Sequence, residues 1–186
     1  GISLWFAGLM GMAALSGFGL AYLYVPHVTS RVDRFLDPAS GDTYQIDMSL
    51  NAFRAGGLIG KGPGDGIIKG ALPDAHSDFI FAVAGEEFGL IACVVIVAIF
   101  AFVVLRTFYR ALSDGGLFIM LSVSGLAAVF GSQALVNLGS TLALIPTKGM
   151  TLPFISYGGS SLFALAIGMG FALALTRKRL GPEDDA

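Results

Sequence analysis

The chain has 186 residues, of which 55% are hydrophobic and 13% charged, with a mean hydropathy of +0.78; a soluble domain carries about 25% charged residues, so this is the composition of a membrane protein. The net charge of -2 is weak and the longest basic run is Arg177, Lys178 and Arg179, which leaves no electrostatic footprint for nucleic acid. The single cysteine, Cys93, sits in an apolar run with no partner in the chain, so no disulfide framework exists and the thiol reads as buried and inert.

Residue 1 is Gly and no basic n-region precedes the first apolar stretch, so the sequence reads as neither a natural start nor a signal peptide, and as the C-terminal piece of a longer protein. A spanning helix needs roughly 20 mostly apolar residues. Four segments qualify, at about 2–25, 79–105, 116–145 and 155–176. Each carries small residues, such as Gly8, Gly11, Gly17 and Gly19 in the first and Gly158, Gly159, Gly168 and Gly170 in the last, which let helices approach closely in lipid. The expected fold is an all-α polytopic bundle with a long loop, 26–78, between its first two spans.

Lys and Arg near span ends mark the cytoplasmic side. Arg106 and Arg110 therefore place the second loop inside, as Arg177, Lys178 and Arg179 do the tail, and the loops at 26–78 and 146–154 face outward. A loop as long as 26–78 is either functional or disordered. Order is the better reading, because QIDMSLNAFRAGGLIG repeats Ile46, Leu50, Phe53 and Leu58 near helical spacing with Asp47, Asn51 and Arg54 between them. This pattern predicts a short amphipathic helix on the membrane surface, ending at Gly56 and Gly57.

Downstream, GKGPG at 60–64 sets three glycines around Lys61, which suits either a tight turn or a backbone cradle for an anion. In LPDAHSDFIF at 72–81 either Pro73 starts the span or Ser77 caps it, and Asp78 falls at the mouth of the apolar run with His76 beside it. A helix end and water favour its ionised form, whereas burial against Phe79 and Phe81 raises its pKa. Glu86 and Glu87 follow two turns on, where a carboxylate is costly unless it faces the bundle interior. At about 100 degrees per residue only Glu86 could share a cavity with Asp78. PTKGMTLPFISYGGSS at 146–161 then puts Lys148 in a short outer loop, followed by the hydroxyls of Ser156, Tyr157, Ser160 and Ser161.

Taken in order, LPDAHSDFIFAVAGEEFG, SQALVNLG and LIPTKGMTLPFISYGGSS resemble the SEDS family of bacterial peptidoglycan polymerases, and the likeness extends through YQIDMSLNAFRAGG and GKGPG to almost the whole chain. PTKGMTLP looks like the family's division branch. The resemblance implies the last four spans of a single membrane domain of roughly ten, each about 20 residues long. It matches Asp78 to the family's catalytic aspartate, with Ser77 and Asp74 as mild departures from the motif, and Lys148 to a substrate-binding lysine.

The implied reaction extends a glycan from lipid II: a sugar hydroxyl attacks the anomeric carbon and expels undecaprenyl pyrophosphate. A good leaving group needs no protonating acid, so one general base, Asp78, suffices when cations absorb the diphosphate charge. Lys148, Arg54 and Lys61 are candidates for that role, with Glu86 and Ser156 as further substrate contacts. The resemblance implies no particular cofactor, and a divalent cation could share the task of absorbing the diphosphate charge. The implied partners are lipid II, a class B penicillin-binding transpeptidase, other division proteins and membrane lipid. The implied location is the bacterial cytoplasmic membrane at the septum, active face outward. A lipid II flippase and a noncatalytic division scaffold are the alternatives.

Overall fold

A computed structural model of the chain describes residues 3–37, 43–113, 116–146 and 148–177. Its elements in chain order are α1 (Leu4–Tyr24), α2 (Pro26–Leu36), α3 (Tyr44–Gly56), a 3-10 turn (Ile68–Gly70), α4 (Ile80–Ser113), α5 (Leu117–Thr141) and α6 (Gly159–Leu175). Every regular element among the described residues is helical, as expected. Three of them, α1, α4 and α5, are long and apolar enough to cross a bilayer. The expected fourth span, 155–176, supplies only the 17-residue apolar helix α6, because 151–158 is spent on turns and extended backbone. The second expected span, 79–105, is also corrected: α4 runs to Ser113, so Arg106 and Arg110 lie on helix rather than in a loop.

The loop 26–78 is largely built. Pro26, with its fixed φ, occupies the first turn of α2. Val28, Val32 and Phe35 recur at helical spacing and are half-buried, while His27, Ser30 and Arg31 are exposed. This helix was read from sequence as loop. The hydroxyl of Tyr22 on α1 donates to Asp33 on α2 at 2.7 Å, and Thr29 donates to the Tyr22 carbonyl. No residue of α1 is buried. The predicted amphipathic helix is α3, which ends where expected, with Gly57 at φ +57°.

The core lies between α4 and α5. Phe100 and Phe130 meet at 5.7 Å, flanked by Phe81, Ala134, Leu138, Leu152 and Leu165. The α3 helix packs across the N-terminal end of α4, where Phe53 meets Phe81 edge-on at 5.5 Å, and Ala52 joins Leu72, Phe79 and Ala82.

At Gly89, φ +75° and ψ -175° break α4. A continuous helix would bond the Leu90 and Ile91 amides to the Glu86 and Glu87 carbonyls. Instead the Leu90 amide donates to the Gly57 carbonyl at 2.9 Å and the Ile91 amide to Leu58 at 3.3 Å, while the Lys61 and Gly62 amides donate to the carbonyls of Glu86 and Glu87 at 3.0 Å each. Residues 57–62 thus slot into the break and satisfy both of its faces, as backbone within a membrane must be satisfied. The fit leaves no room for a side chain: a Cβ on Gly89 would lie 2.5 Å from both the Leu58 oxygen and the Gly60 nitrogen.

The Glu86 side chain, fully buried, completes this interlock. Its carboxylate accepts the amides of Ile67 at 2.8 Å, Ile68 at 3.0 Å and Lys69 at 3.1 Å, and pairs with the Lys61 ammonium at 3.2 Å. Glu87 pairs with Lys69. Of the two sequence readings of GKGPG the turn is realised, with Gly60, Gly62 and Gly64 at positive φ. The Lys61 and Gly62 amides are committed to the α4 carbonyls, and the anion enclosed nearby is the protein's own Glu86.

Gly89→Ala should cost at least about 1 kcal/mol, from the strained φ and the backbone collision, and lower the thermal midpoint in detergent; Gly8→Ala, with open space around it, should leave the midpoint unchanged. Glu86→Gln keeps the shape but turns an amide toward backbone donors, and should cost about 1–3 kcal/mol. Limited proteolysis between 61 and 70 should accelerate; an unaltered cleavage rate would refute the caging role.

Candidate active site

The end of the bundle where α4 begins gathers three segments around Asp78. In the first, residues 72–79, Asp74 adopts φ +53° and its carbonyl accepts the amides of Ser77 and Asp78 at 3.0 Å and Phe79 at 3.3 Å. The Ser77 hydroxyl donates to that carbonyl too, at 3.3 Å, so it closes the turn rather than capping α4. Buried Leu72 and Phe79 hold the turn down, and Asp78 between them remains partly exposed.

The second segment is the end of α5. Asn137, with no exposed surface, donates from its Nδ2 to the Asp78 carbonyl at 2.9 Å and to the Met150 carbonyl at 2.6 Å. Its Oδ1 is buried without a partner, a cost of about 1–3 kcal/mol. One turn back, Gln133 donates to the Thr151 carbonyl at 3.0 Å and to the hydroxyl of Ser161 on α6 at 3.0 Å. Ser49 of α3 donates to the Thr141 carbonyl at 2.7 Å, fixing α3 to the same end.

The third segment, residues 148–158, returns over the mouth of the bundle. The Leu152 amide donates to the buried Ser156 hydroxyl at 2.7 Å. The Tyr157 amide donates to the His76 carbonyl at 2.9 Å and the two rings meet edge-on at 5.7 Å, so His76 ties the segments together.

Between the segments lies an open polar pocket of about 210 Å³ lined by Asp78, Phe79, Ser140, Lys148 and Gly149, with Arg31 of α2 and Gln45 of α3. A Cβ on Gly149 would stand 2.9 Å from Asp78 Oδ2, so the glycine admits the carboxylate against the backbone. Asp78 forms no ion pair or side-chain hydrogen bond among the described residues. Burial pushes its pKa above the usual carboxylate range, and repulsion from Asp74 adds to the rise. The pocket therefore holds a carboxylate of raised basicity beside two cationic side chains, a set able to accept a proton from a hydroxyl and to face an anionic group.

Of the residues singled out in the sequence, only Asp78 and Lys148 line this pocket. Glu86, expected to share the cavity, is enclosed by the 67–69 amides; the α4 helix starts at Ile80, so the angular reckoning from Asp78 does not apply. Lys61 is paired with Glu86, Arg54 lies exposed on α3 at 3.5 Å from the Asn51 side-chain oxygen, and Ser156 closes a turn. Sequence reasoning missed Arg31, Gln45, Ser140 and Asn137. Asn137 did leave a signal, one of two amides, with Gln133, one turn apart within the apolar α5 run. No cluster of three or more His, Cys, Asp or Glu able to hold a metal occurs among the described residues.

Comparison with known proteins fits this geometry. The family model described as "Cell cycle protein", covering FtsW, RodA and SpoVE, matches residues 1–180. A probable peptidoglycan glycosyltransferase FtsW of Caulobacter vibrioides is 48% identical over 97% of this chain and 48% of its own length. A protein of the same description from Alcanivorax borkumensis is 41% identical over 95% of this chain and 46% of its own. Among solved structures, a chain described under "Structural coordination of polymerization and crosslinking by a peptidoglycan synthase complex" superposes with a TM-score of 0.67 at 30% identity, over 92% of this chain and 48% of that one. The rod shape determining protein RodA of Thermus thermophilus superposes at 0.54 with 31% identity, over 97% of this chain and 59% of that one. The chain spans about half the length of the curated relatives it matches. With the family model matching residues 1–180 of this 186-residue chain and relatives this similar, the chain belongs to the FtsW/RodA/SpoVE family of cell cycle proteins.

Proposed function

We propose that this chain forms the catalytic part of a peptidoglycan glycosyltransferase that polymerises lipid II during bacterial cell division. The observation that carries the reading is Asp78, a carboxylate with no ion pair among the described residues, at the mouth of α4 in a polar pocket it shares with Lys148. The names of the FtsW relatives support the activity. In this reading Asp78 takes the proton of the attacking sugar hydroxyl as the new glycosidic bond forms at the anomeric carbon. Undecaprenyl pyrophosphate leaves without needing an acid, and the cations at the rim offset its charge. A divalent cation at the site would draw most of its ligands from diphosphate and water. Four spans, with α6 as the short fourth, put both chain ends inside and the pocket outside, consistent with Arg106, Arg110 and Arg177 at the opposite end. The polyprenyl tail then stays in the bilayer while its sugar reaches the acid. A class B penicillin-binding transpeptidase is the proposed partner, located with it at the septum.

The structure weighs against the flippase alternative. Its path would need acids continuing inward, and the two carboxylates next along α4, Glu86 and Glu87, are paired to lysines.

In the intact protein, Asp78→Ala should leave folding and partner binding in place and lower glycan formation from lipid II by at least about 10²; undiminished polymer would reject the assignment. Lys148→Ala should raise KM for lipid II more than it lowers kcat. Because the base acts deprotonated, the rate should fall as pH drops through the raised pKa of Asp78, above the ordinary aspartate value of about 4. Asp74→Asn removes a repulsion and should move that acid limb to lower pH, as read from kcat against pH.

A further inference from the structure

We infer that Asn137 is the positioning residue of this site, the bridge whose two N–H donors set the distance between the segment carrying Asp78 and the segment carrying Lys148. The inference rests on the proposed role of Asp78 as base. Asn137 touches neither the pocket nor its contents: its side chain has no exposed surface and is absent from the pocket lining. Its two bonds end on the backbone of Asp78 itself and of Met150, whose own amide donates to the Lys148 carbonyl at 2.7 Å. One amide group thus spans the two walls of the pocket.

The orientation of that group is fixed by chemistry. Turning the amide over would set Oδ1 against two carbonyl oxygens, leaving three acceptors facing one another, so Nδ2 must be the atom between the walls. Oδ1 is then left buried and unpaired. Native structures rarely tolerate an orphaned polar atom, and where they do it needs an explanation. An apolar residue would avoid the orphan but would leave both carbonyls without donors. What the asparagine supplies is two donors on one rigid plane, aimed at two strands of backbone, which neither Ser nor Thr can do with a single hydroxyl.

Other features converge on the same point. Ser140 and Thr141 both donate to the Asn137 carbonyl, at 3.0 and 2.7 Å, so the α5 backbone is tightened beside the bridge. Gly149, next to Met150, is the residue whose missing side chain lets Asp78 Oδ2 sit against the backbone. A shift of the Met150 wall would therefore change the surroundings of the Asp78 carboxylate directly. Gln133 provides a natural contrast. It also ties the 148–158 segment to α5, through Thr151, but its other bond goes to Ser161 on α6 rather than to the Asp78 turn.

The test uses the intact protein with lipid II, comparing Asn137→Leu, which keeps the approximate shape without donors, with Gln133→Ala. Asn137→Leu should lower kcat at least about 10²-fold, as expected for misplacing a reacting group, with KM changed less than about threefold. It should also move the acid limb of the kcat profile to lower pH, because a loosened Asp78 is better hydrated. The charged groups facing it, Arg31 from α2, Lys148 from the return segment and Asp74 from its own turn, are unchanged by the substitution. Gln133→Ala should lower thermal stability and leave the acid limb in place. If Asn137→Leu cannot be recovered folded, Asn137→Ser, which retains one donor, should show the same limb shift with a kcat loss of about tenfold.

The inference is overturned if the recovered Asn137 variant keeps the wild-type limb and kcat, or matches Gln133→Ala in stability, KM and pH profile. Asp78→Ala separates the two levels. Activity in Asp78→Ala sinks the base assignment itself, whereas an inactive Asp78→Ala beside a wild-type-like Asn137 variant sinks the positioning role alone.

Discussion

A peptide group in hydrocarbon has no water to fall back on, and the outer half of this molecule is organised around that constraint at one residue. Where Gly89 interrupts α4, four backbone groups lose their helical partners and recover them from residues 57–62. The recovered bonds fix the end of α3. They also fix where the chain must go next, because Lys61 and the 67–69 amides then close on Glu86. Only after that circuit does the chain reach the turn bearing Asp78. The acid is placed by an interlock lying deeper in the bundle, and the charges at 61, 69, 86 and 87 are consumed in building it.

This separates two kinds of polar residue that look alike in the sequence. Glu86 and Lys61 are mutually satisfied and buried or half-covered, so they stabilise a path of the chain. Asp78 and Lys148 sit at a pocket, and Asp78 is unpaired among the described residues. Mutual satisfaction lowers reactivity; at Asp78 no partner offsets the burial, and secondarily the Asp74 repulsion, that raise its pKa. Asn137 stands between the two kinds, fully buried yet only partly satisfied.

Much of the fold was legible in the sequence because hydropathy is a local property. The all-helical class, α1, α5 and the glycine-limited end of α3 follow from composition and period alone. The α2 helix was equally legible, with Pro26 ahead of Val28, Val32 and Phe35, but the span search passed over it as loop. Gly89 was not legible. In an apolar run one glycine reads as a packing contact, and what makes it a break is a loop some thirty positions earlier in the chain. The assignment of Asp78 and Lys148 to one place came from the family resemblance, which carries long-range proximity that spacing does not. Arg31 and Gln45 lie on elements whose docking no local pattern encodes, and they were missed for that reason.

The shortness of α6 bears on how a lipid-anchored sugar would meet the site. Seventeen residues make a helix of about 25 Å, several ångströms less than a hydrocarbon core of about 30 Å. Were α6 to cross the membrane as the short fourth span proposed above, local thinning of the bilayer would be one way to relieve the mismatch, and it would fall where α6 begins at Gly159, close in sequence to the Ser156–Tyr157 stretch that abuts His76. Under the proposed function, a depression there would bring headgroups down toward the carboxylate, and a polyprenyl carrier in the leaflet would meet the acid without lifting its chain out of oil. Membrane thickness would then be part of the geometry of the site.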